Sequence, residues 1–343
     1  MLKIGICGYG TVGQSLVDHV LSYNKKIRSN VSSDFTIARI ADRSIDKKEY
    51  PKDTIVTKDP LDLPADSNID IIIELLGGID LPYKIITESI RNKKHIITAN
   101  KALIAEHGDE IFQLAKENNV YFGFEASVAG AIPIITTLMK NMANENIISI
   151  VGIINGTCNY IMSEMERTKQ SFKNVLKMAQ KLGYAEPGNP KLDLNGFDAF
   201  AKIRILSALS FNTKISKSKC IMEGIENIKL EDIKIANQLG LRVKLLGISE
   251  IIKGQLFETV HPCLVSKKTY IGNVNGVMNA VITEGKPVGE SVLQGEGAGP
   301  GPTSSSLLSD LLSILRGNIK YPFGISSNKR SSIKPFSNDK YTN

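Results

Sequence analysis

The sequence has no tryptophan, 6% aromatic residues and four cysteines among 343 residues, and each shortage excludes something. No run approaches the roughly 18 consecutive apolar residues that a membrane-spanning helix requires, so no membrane partner is expected. Cys7, Cys158, Cys220 and Cys263 are scattered, with neither metal-ligand spacing nor the density of a secreted disulfide scaffold. The first strand-like run, "LKIGICGYG", starts at residue 2 with no basic segment, apolar core and cleavage site, so no secretory signal is visible. A reducing cytoplasm is the expected compartment.

The net charge of +7 invites a nucleic-acid reading, but no basic block interleaved with stacking aromatics supports it. Residues 317–343 carry Lys320, Lys329, Arg330, Lys334 and Lys340 against Asp339 alone, which is +4 and leaves +3 for the body. No nucleic-acid partner is expected, and this stretch reads as a solvated basic tail.

What is present is an alternation. "KIGICG" is followed by a helix over about Thr11 to Leu21, then "FTIARIAD"; "IDIIIELLGG" precedes "LPYKIITESIRN", "HIITAN" precedes "KALIAEHGDEIFQLAKENN", and "VYFGFEAS" closes the series. Short apolar strands each followed by an amphipathic helix indicate a parallel sheet covered on both faces. After Pro133 the pattern changes to helices near 160–166, 171–182 and 197–211, and then to "VKLLGISEII", "GQLFETVHPCLV" and "NGVMNAVITEG" joined by short turns. Those turns suggest an antiparallel sheet. "GEGAGPGPTSSSLLSDLLSIL" is a Gly-rich loop entering a helix expected to return to the first domain.

"GYGTVG" places Gly8, Gly10 and Gly13 in G-x-G-x-x-G spacing between a strand and a helix, the context in which the pattern signals a dinucleotide. Gly8 permits the tight turn, Gly10 the approach of a pyrophosphate, and Gly13 close helix–strand packing. The helix start offers unpaired N–H donors and partial positive charge. At the end of the second strand, Asp42 favours the ribose 2′-OH of NAD, whereas Arg43, with Lys47 and Lys48 nearby, favours the 2′-phosphate of NADP. The balance leans to NADP without settling it. The fold class is therefore α/β, a Rossmann doubly wound parallel sheet followed by an α+β domain with a mainly antiparallel sheet.

Two lysines stand out. Lys101 follows the strand at 96–98, at the carboxyl edge where doubly wound sheets bind ligands, and a cation at a helix start is electrostatically unfavourable. Lys202 stands four residues after Asp198 on one helix face, which is either a surface ion pair or an acid held against a working lysine. The histidines, His19, His95, His107 and His261, have no partner pattern and read as structural or solvated. Cys158 lies in the "NGTCNYI" loop, where oxidation or alkylation would be expected to cost activity.

"GYGTVG", "TANKALIA" at 98–105, "EASVAGAIPII" at 125–135, "NGTCNYI" at 155–161 and "GYAE…DLNGFDAFAK" at 183–202 together resemble homoserine dehydrogenase of the bacterial type. The resemblance continues through "NVNGVMNAV" and "GAGPGPTSSSLLSDL" and covers roughly residues 1–316. It implies NAD(P)H-dependent, reversible reduction of L-aspartate 4-semialdehyde to L-homoserine on the branch to threonine and methionine. It also implies a homodimer paired through the antiparallel sheet. Residues 1–130 would bind the dinucleotide, 131–295 would bind substrate and dimerise, 296–316 would return to the nucleotide domain, and 317–343 would form the basic tail.

By the same resemblance Lys202 carries the proton, Asp198 orients it, and Lys101 lies between nicotinamide and substrate. Glu186 and Asp193 would hold the substrate ammonium, with Gly156, Thr157 and Tyr184 completing the substrate site; for Thr157 a plain turn or helix cap is the alternative. Tyr9, Thr11, Val12, Gly77, Thr98, Gly297 and Gly299 would join Gly8, Gly10, Gly13, Asp42 and Arg43 around the cofactor. Glu125, Val128, Gly130 and Ile132 match a loop that binds Na+ or K+ in some members; a tight loop with a capping glutamate is the alternative. Two departures stand out. "EPGNPKLD" holds one residue more than expected between Glu186 and Asp193, and the chain stops where many relatives carry an ACT domain, so that this domain is either lacking or truncated away.

Overall fold

The short apolar runs near the N-terminus are too brief for helices and rich in isoleucine, so they pair as buried strands. The computed structural model describes residues 1–188, 190–217 and 221–317, and Cys220 and the basic tail beyond Gly317 lie outside the described residues. Two compact units emerge. The first comprises Met1–Met139 with the described residues from Ala298 onward, and the second Lys140–Gly297.

The first unit holds strands β1 (Leu2–Cys7), β2 (Phe35–Ala41), β3 (Ile55–Thr57), β4 (Ile71–Glu74), β5 (His95–Thr98) and β6 (Phe122–Gly123). All pair in parallel, in the order β3-β2-β1-β4-β5-β6, the expected doubly wound sheet. Helices α1 (Thr11–Ser22), α2 (Asn24–Arg28), α3 (Asp80–Arg91), α4 (Lys101–Glu117) and the single turn α5 (Ile134–Thr136) belong to it. The chain direction reverses between β1 and β4, and at such a switch point the strand ends diverge and leave a crevice for a ligand.

The strand expected over "VYFGFEAS" pairs only at Phe122–Gly123. The cause is Asp310, whose carboxylate accepts the Tyr121 hydroxyl at 2.9 Å and the Glu125 N–H at 2.9 Å, drawing the chain off the ladder into a short turn. β3 had no sequence signal because it is a three-residue edge strand with Ile55 exposed.

The second unit begins with β7 (Asn146–Ile153) and the helices α6 (Gly156–Thr168), α7 (Phe172–Lys181), α8 (Lys191–Leu194), α9 (Phe197–Ser210) and α10 (Leu230–Gln238). Its remaining strands are β8 (Ile221–Met222), β9 (Leu241–Ile252), β10 (Gln255–Ser266), β11 (Met278–Lys286) and β12 (Gly289–Glu296), in the sheet order β12-β11-β7-β9-β10-β8. Every pairing is antiparallel except β8 with β10. The chain then returns to the first unit as α11 (Pro300–Leu315), whose Leu307, Leu308 and Leu311 enter the core around Leu16 and Val20 of α1.

One face of the second sheet is covered by α9. Gly247 of β9 packs on Ile203, and the Ser249 hydroxyl meets that of Ser207 at 2.8 Å. The opposite face carries Val151, Ile248, Cys263 and Ile282, which are only half-buried. At its end Lys244 is 1% exposed. Its ammonium donates to Asn159 Oδ1 at 3.0 Å, the Val274 carbonyl at 2.5 Å and Asn275 Oδ1 at 3.2 Å, tying α6 to the loop before β11.

Burial, with a lesser contribution from Arg242, lowers the Lys244 pKa to about 8 from 10.5. Because the folded value lies below the unfolded one, the unfolded chain binds more protons between these pH values, and folding stability from this group rises with pH across that window. Chemical denaturation of wild type and Lys244→Met from pH 7 to 10.5 should show the wild-type-minus-variant difference in unfolding free energy increasing; a flat difference would contradict the assignment.

Candidate active site

In the first unit the end of β1 must turn sharply into α1 while passing the end of β4. Gly8 does so at φ +100°, and a Cβ there would lie 2.8 Å from the Leu75 carbonyl. A Cβ on Gly13 would lie 2.5 Å from the Gly8 carbonyl, so the helix approaches the turn as closely as glycine allows. Gly10 is the N-cap of α1, faces open space, and leaves the helix without a side-chain cap. The backbone N–H groups of Thr11, Val12 and Gly13 therefore sit at a bare helix N-terminus, the arrangement that suits a diphosphate. The residues present fit a dinucleotide.

Asp42 does not wait free for a ribose. Its carboxylate accepts the Tyr9 N–H at 2.8 Å, the Ser44 N–H and hydroxyl at 2.8 and 2.7 Å, and the Lys48 ammonium at 2.8 Å. Lys48 also donates to the Tyr9 carbonyl at 2.8 Å. Burial works to raise the Asp42 pKa, but the donors from Lys48, Ser44 and Tyr9 outweigh it and hold the group well below the usual carboxylate range. Arg43 and Lys47 are exposed beside it.

At the carboxyl ends of β4 and β5, fully buried Glu74 accepts the Thr98 hydroxyl at 2.7 Å and the Leu76 N–H at 2.7 Å. Burial raises its pKa, against the donors from Thr98, Leu76, Gly77 and Asn100. Asn100 caps α4 through the Leu103 N–H at 3.1 Å and donates to the Gly78 carbonyl at 2.7 Å, which fixes the loop of Gly77 beside Lys101. Lys101 is the first residue of α4 and half-buried. Gly299 is the N-cap of α11 with φ +110°, while Gly297 belongs to the second unit, where a Cβ would strike Asn279.

Glu125 is 2% exposed, and its two oxygens accept the Ile135 N–H at 2.9 Å, the Thr136 N–H at 2.8 Å and the Thr136 hydroxyl at 2.5 Å. The Gly130 carbonyl accepts the Ser306 hydroxyl at 2.6 Å. Val128 and Ile132 are buried in the same loop. The carboxylate has the partners of a helix cap, and as arranged the set fits a monovalent cation poorly.

In the second unit the chain leaves β7 through Ile154 and Asn155 and enters α6. Asn155 Oδ1 accepts the Cys158 N–H at 2.8 Å as N-cap, while its Nδ2 donates to Asp193 Oδ1 at 2.8 Å and Asp198 Oδ2 at 2.9 Å. Lys202, one turn after Asp198 on α9, donates to Asp198 Oδ2 at 2.7 Å and to the Ile154 carbonyl at 2.9 Å. Asp198 and Lys202 are 9% and 8% exposed, so the pair is buried and the surface-pair reading fails.

The Thr157 hydroxyl donates to the Tyr184 carbonyl at 2.5 Å, and the half-exposed Tyr184 ring stacks at 4.9 Å on that of Tyr160. Gly156 lies against the Val277 carbonyl, 2.7 Å from where a Cβ would stand. Glu186 is exposed, with its backbone carbonyl held by Gln180 at 3.3 Å and no partner for its carboxylate among the described residues. Gly188 and Asn189 are the loop residues suited to absorbing the extra residue, and the second of these lies outside the described residues.

Sequence reasoning passed over Asn155 and Glu74. Asn155 carried one usable signal, an N-cap residue before a helix. Its link to Asp193 and Asp198 spans 38 and 43 residues and has no local signature. Cys158 needs correction. It is fully buried, its thiol lies 3.3 Å from the Asp193 carbonyl, and burial, with the charges of Asp193 and Asp198, pushes its pKa well up.

Comparisons with known proteins bear on the chain as a whole. The family model described as "Homoserine dehydrogenase" matches residues 133–312, and "Homoserine dehydrogenase, NAD binding domain" matches residues 8–125. A homoserine dehydrogenase of Neisseria gonorrhoeae is 42% identical over 92% of this chain and 72% of its own length. One of Pseudomonas aeruginosa is 40% identical over 94% of this chain and 74% of its own. The crystal structure of a homoserine dehydrogenase from Thiobacillus denitrificans superposes with a TM-score of 0.93 at 36% identity, covering 98% of this chain and 79% of that one.

A thiol that is buried and held protonated is a poor nucleophile. Iodoacetamide at pH 8 should therefore leave Cys158 unmodified in the native protein and label it after denaturation, as read by peptide mass spectrometry. Rapid native labelling of Cys158 would contradict the packing.

Proposed function

The chain belongs to the homoserine dehydrogenase family, and on that premise we propose how its residues divide the work. It is an oxidoreductase acting on a CH–OH group, catalysing the NAD(P)H-dependent, reversible reduction of L-aspartate 4-semialdehyde to L-homoserine in threonine and methionine biosynthesis. The bound nicotinamide supplies the hydride in reduction and accepts it in oxidation. The protein must deliver a proton to the carbonyl oxygen and stabilise the charge that develops there.

Lys202 delivers that proton, and one observation carries the assignment. Among the described residues its ammonium spends two of its three N–H bonds on Asp198 and the Ile154 carbonyl, leaving one for an incoming oxygen. Asp198 orients the ammonium. In oxidation the neutral amine takes the hydroxyl proton back. Lys101, at the carboxyl edge of the first sheet, stabilises the alkoxide charge.

The substrate is an amino acid, so its ammonium needs acids and its carboxylate needs donors. Glu186 and Asp193 take the first role. With its hydroxyl proton committed to Tyr184, Thr157 contributes its backbone N–H, beside that of Gly156 at the start of α6.

NADP is favoured over NAD. Asp42 is already satisfied by Tyr9, Ser44 and Lys48, which weakens it as an acceptor for a ribose hydroxyl, whereas the exposed Arg43 and Lys47 offer positive charge for a 2′-phosphate. Glu125 is assigned to capping rather than to Na+ or K+, because both its oxygens are committed to donors. Residues 1–130 serve the dinucleotide, and residues 131–295 the substrate and a homodimer contact. The half-buried apolar face of Val151, Ile248 and Ile282 supports that dimer. A reducing cytoplasm suits the free, buried thiols of Cys7 and Cys158.

Steady-state rates with aspartate semialdehyde should show turnover with NADPH at lower KM than with NADH. Lys202→Ala should lose about 10²–10⁴-fold in kcat with the NADPH KM unchanged. Absence of turnover, or an active Lys202→Ala, would overturn the reading.

A further inference from the structure

Asn155 is 4% exposed, and its side chain makes three hydrogen bonds within the second unit. Its amide orientation is fixed, because Oδ1 must face the Cys158 N–H that it caps at 2.8 Å. Both amide protons then point at carboxylates, one at Asp193 Oδ1 and one at Asp198 Oδ2. Asp198 Oδ2 is the same oxygen that receives the Lys202 ammonium.

We propose that Asn155 is a positioning residue for the reaction, joining the carboxylate that faces the substrate ammonium to the carboxylate that aims the proton carrier. The inference rests on Lys202 being that carrier. Asp193 sits on α8, a helix of four residues, which cannot be rigid by its own hydrogen bonds. Asp198 sits in the first turn of α9. Asp198 is buried and Asp193 half-buried, and a neutral donor between the two acids holds both carboxylates in a defined orientation. A lysine there would compete with Lys202 for Asp198, and serine has one proton for two acceptors. Asparagine alone combines a cap oxygen with two N–H donors at this reach.

The capping role and the positioning role can be separated. Serine and aspartate both cap helices as well as asparagine does, yet neither can donate to both carboxylates. Both variants, Asn155→Ser and Asn155→Asp, keep the cap but lose the donors to Asp193 and Asp198. Asn155→Ser should therefore melt above Asn155→Ala, and Asn155→Asp, which adds a third carboxylate, should melt below Asn155→Ser. Their kcat should fall on the order of a hundredfold, as for misplacement of a catalytic group by about an ångström, with the homoserine KM raised and the NADP KM unchanged. Asn155→Ala, which also removes the cap, should melt lower as well.

Wild-type kcat in Asn155→Ser or Asn155→Asp would overturn the proposal. So would losses of kcat that follow the losses of melting temperature across all three variants. Lys202→Ala, assayed alongside, distinguishes the two failures. An inactive Lys202→Ala with a fully active Asn155→Ser sinks the inference about Asn155 alone, whereas an active Lys202→Ala sinks the reading it rests on.

Discussion

The buried Asp198–Lys202 pair is the constraint around which the second unit is arranged. Withdrawing two charges from water costs several kcal/mol per ion unless their remaining lone pairs and protons find partners. The Ile154 carbonyl and the Asn155 amide meet that requirement, and both come from the exit of β7. The turn from β7 into α6 is therefore fixed by the ion pair as much as by its own cap. The same turn presents the backbone donors of Gly156 and Thr157, so one network sets the Lys202 ammonium and the donor loop together.

In the first unit backbone geometry takes the place of the ion pair. Gly8 and Gly13 allow the Leu75 and Gly8 carbonyls to approach where any side chain would collide, and the bare N-terminus of α1 follows from that closeness. The cradle is then stiffened from outside, by Asp42 and Lys48 clamping Tyr9 from both sides of its peptide, and by Glu74 and Asn100 fixing the loops after β4 and β5. Asp310 performs a comparable task at β6, where a distant helix ends a strand that local sequence would have prolonged.

What was legible in the sequence follows from the range of the interactions. The parallel sheet could be read because each strand is a local apolar run, and the fingerprint glycines because their strand–turn–helix context is local too. Asp198 and Lys202 were visible as a pair, but spacing fixes only that they share a helix face; their burial depends on β7 and α6 packing over them. Asn155 was invisible as a bridge because its acids arrive from α8 and α9. Glu125 appeared as a cation ligand or a cap, and the N–H groups that favour the cap come from Ile135 and Thr136, ten and eleven residues on, where no local pattern marks them.

Three buried lysines differ in what their ammonium groups have left to donate, which bears on the role proposed for Lys202. Lys94 donates to the Asp66 and Ile69 carbonyls at the amino edge of the first sheet, the edge opposite to the one where doubly wound sheets bind ligands. Lys244 has all three protons engaged, by Asn159, Val274 and Asn275, so it can tie elements together but has nothing left to transfer. Among the described residues, Lys202 is the one of the three that combines a carboxylate partner, a fixed carbonyl and an uncommitted proton, beside a helix start with donors to spare. Burial therefore does not single out Lys202 for the proposed role, since all three share it. A carboxylate partner beside an unspent donor, and the helix start next to it, do.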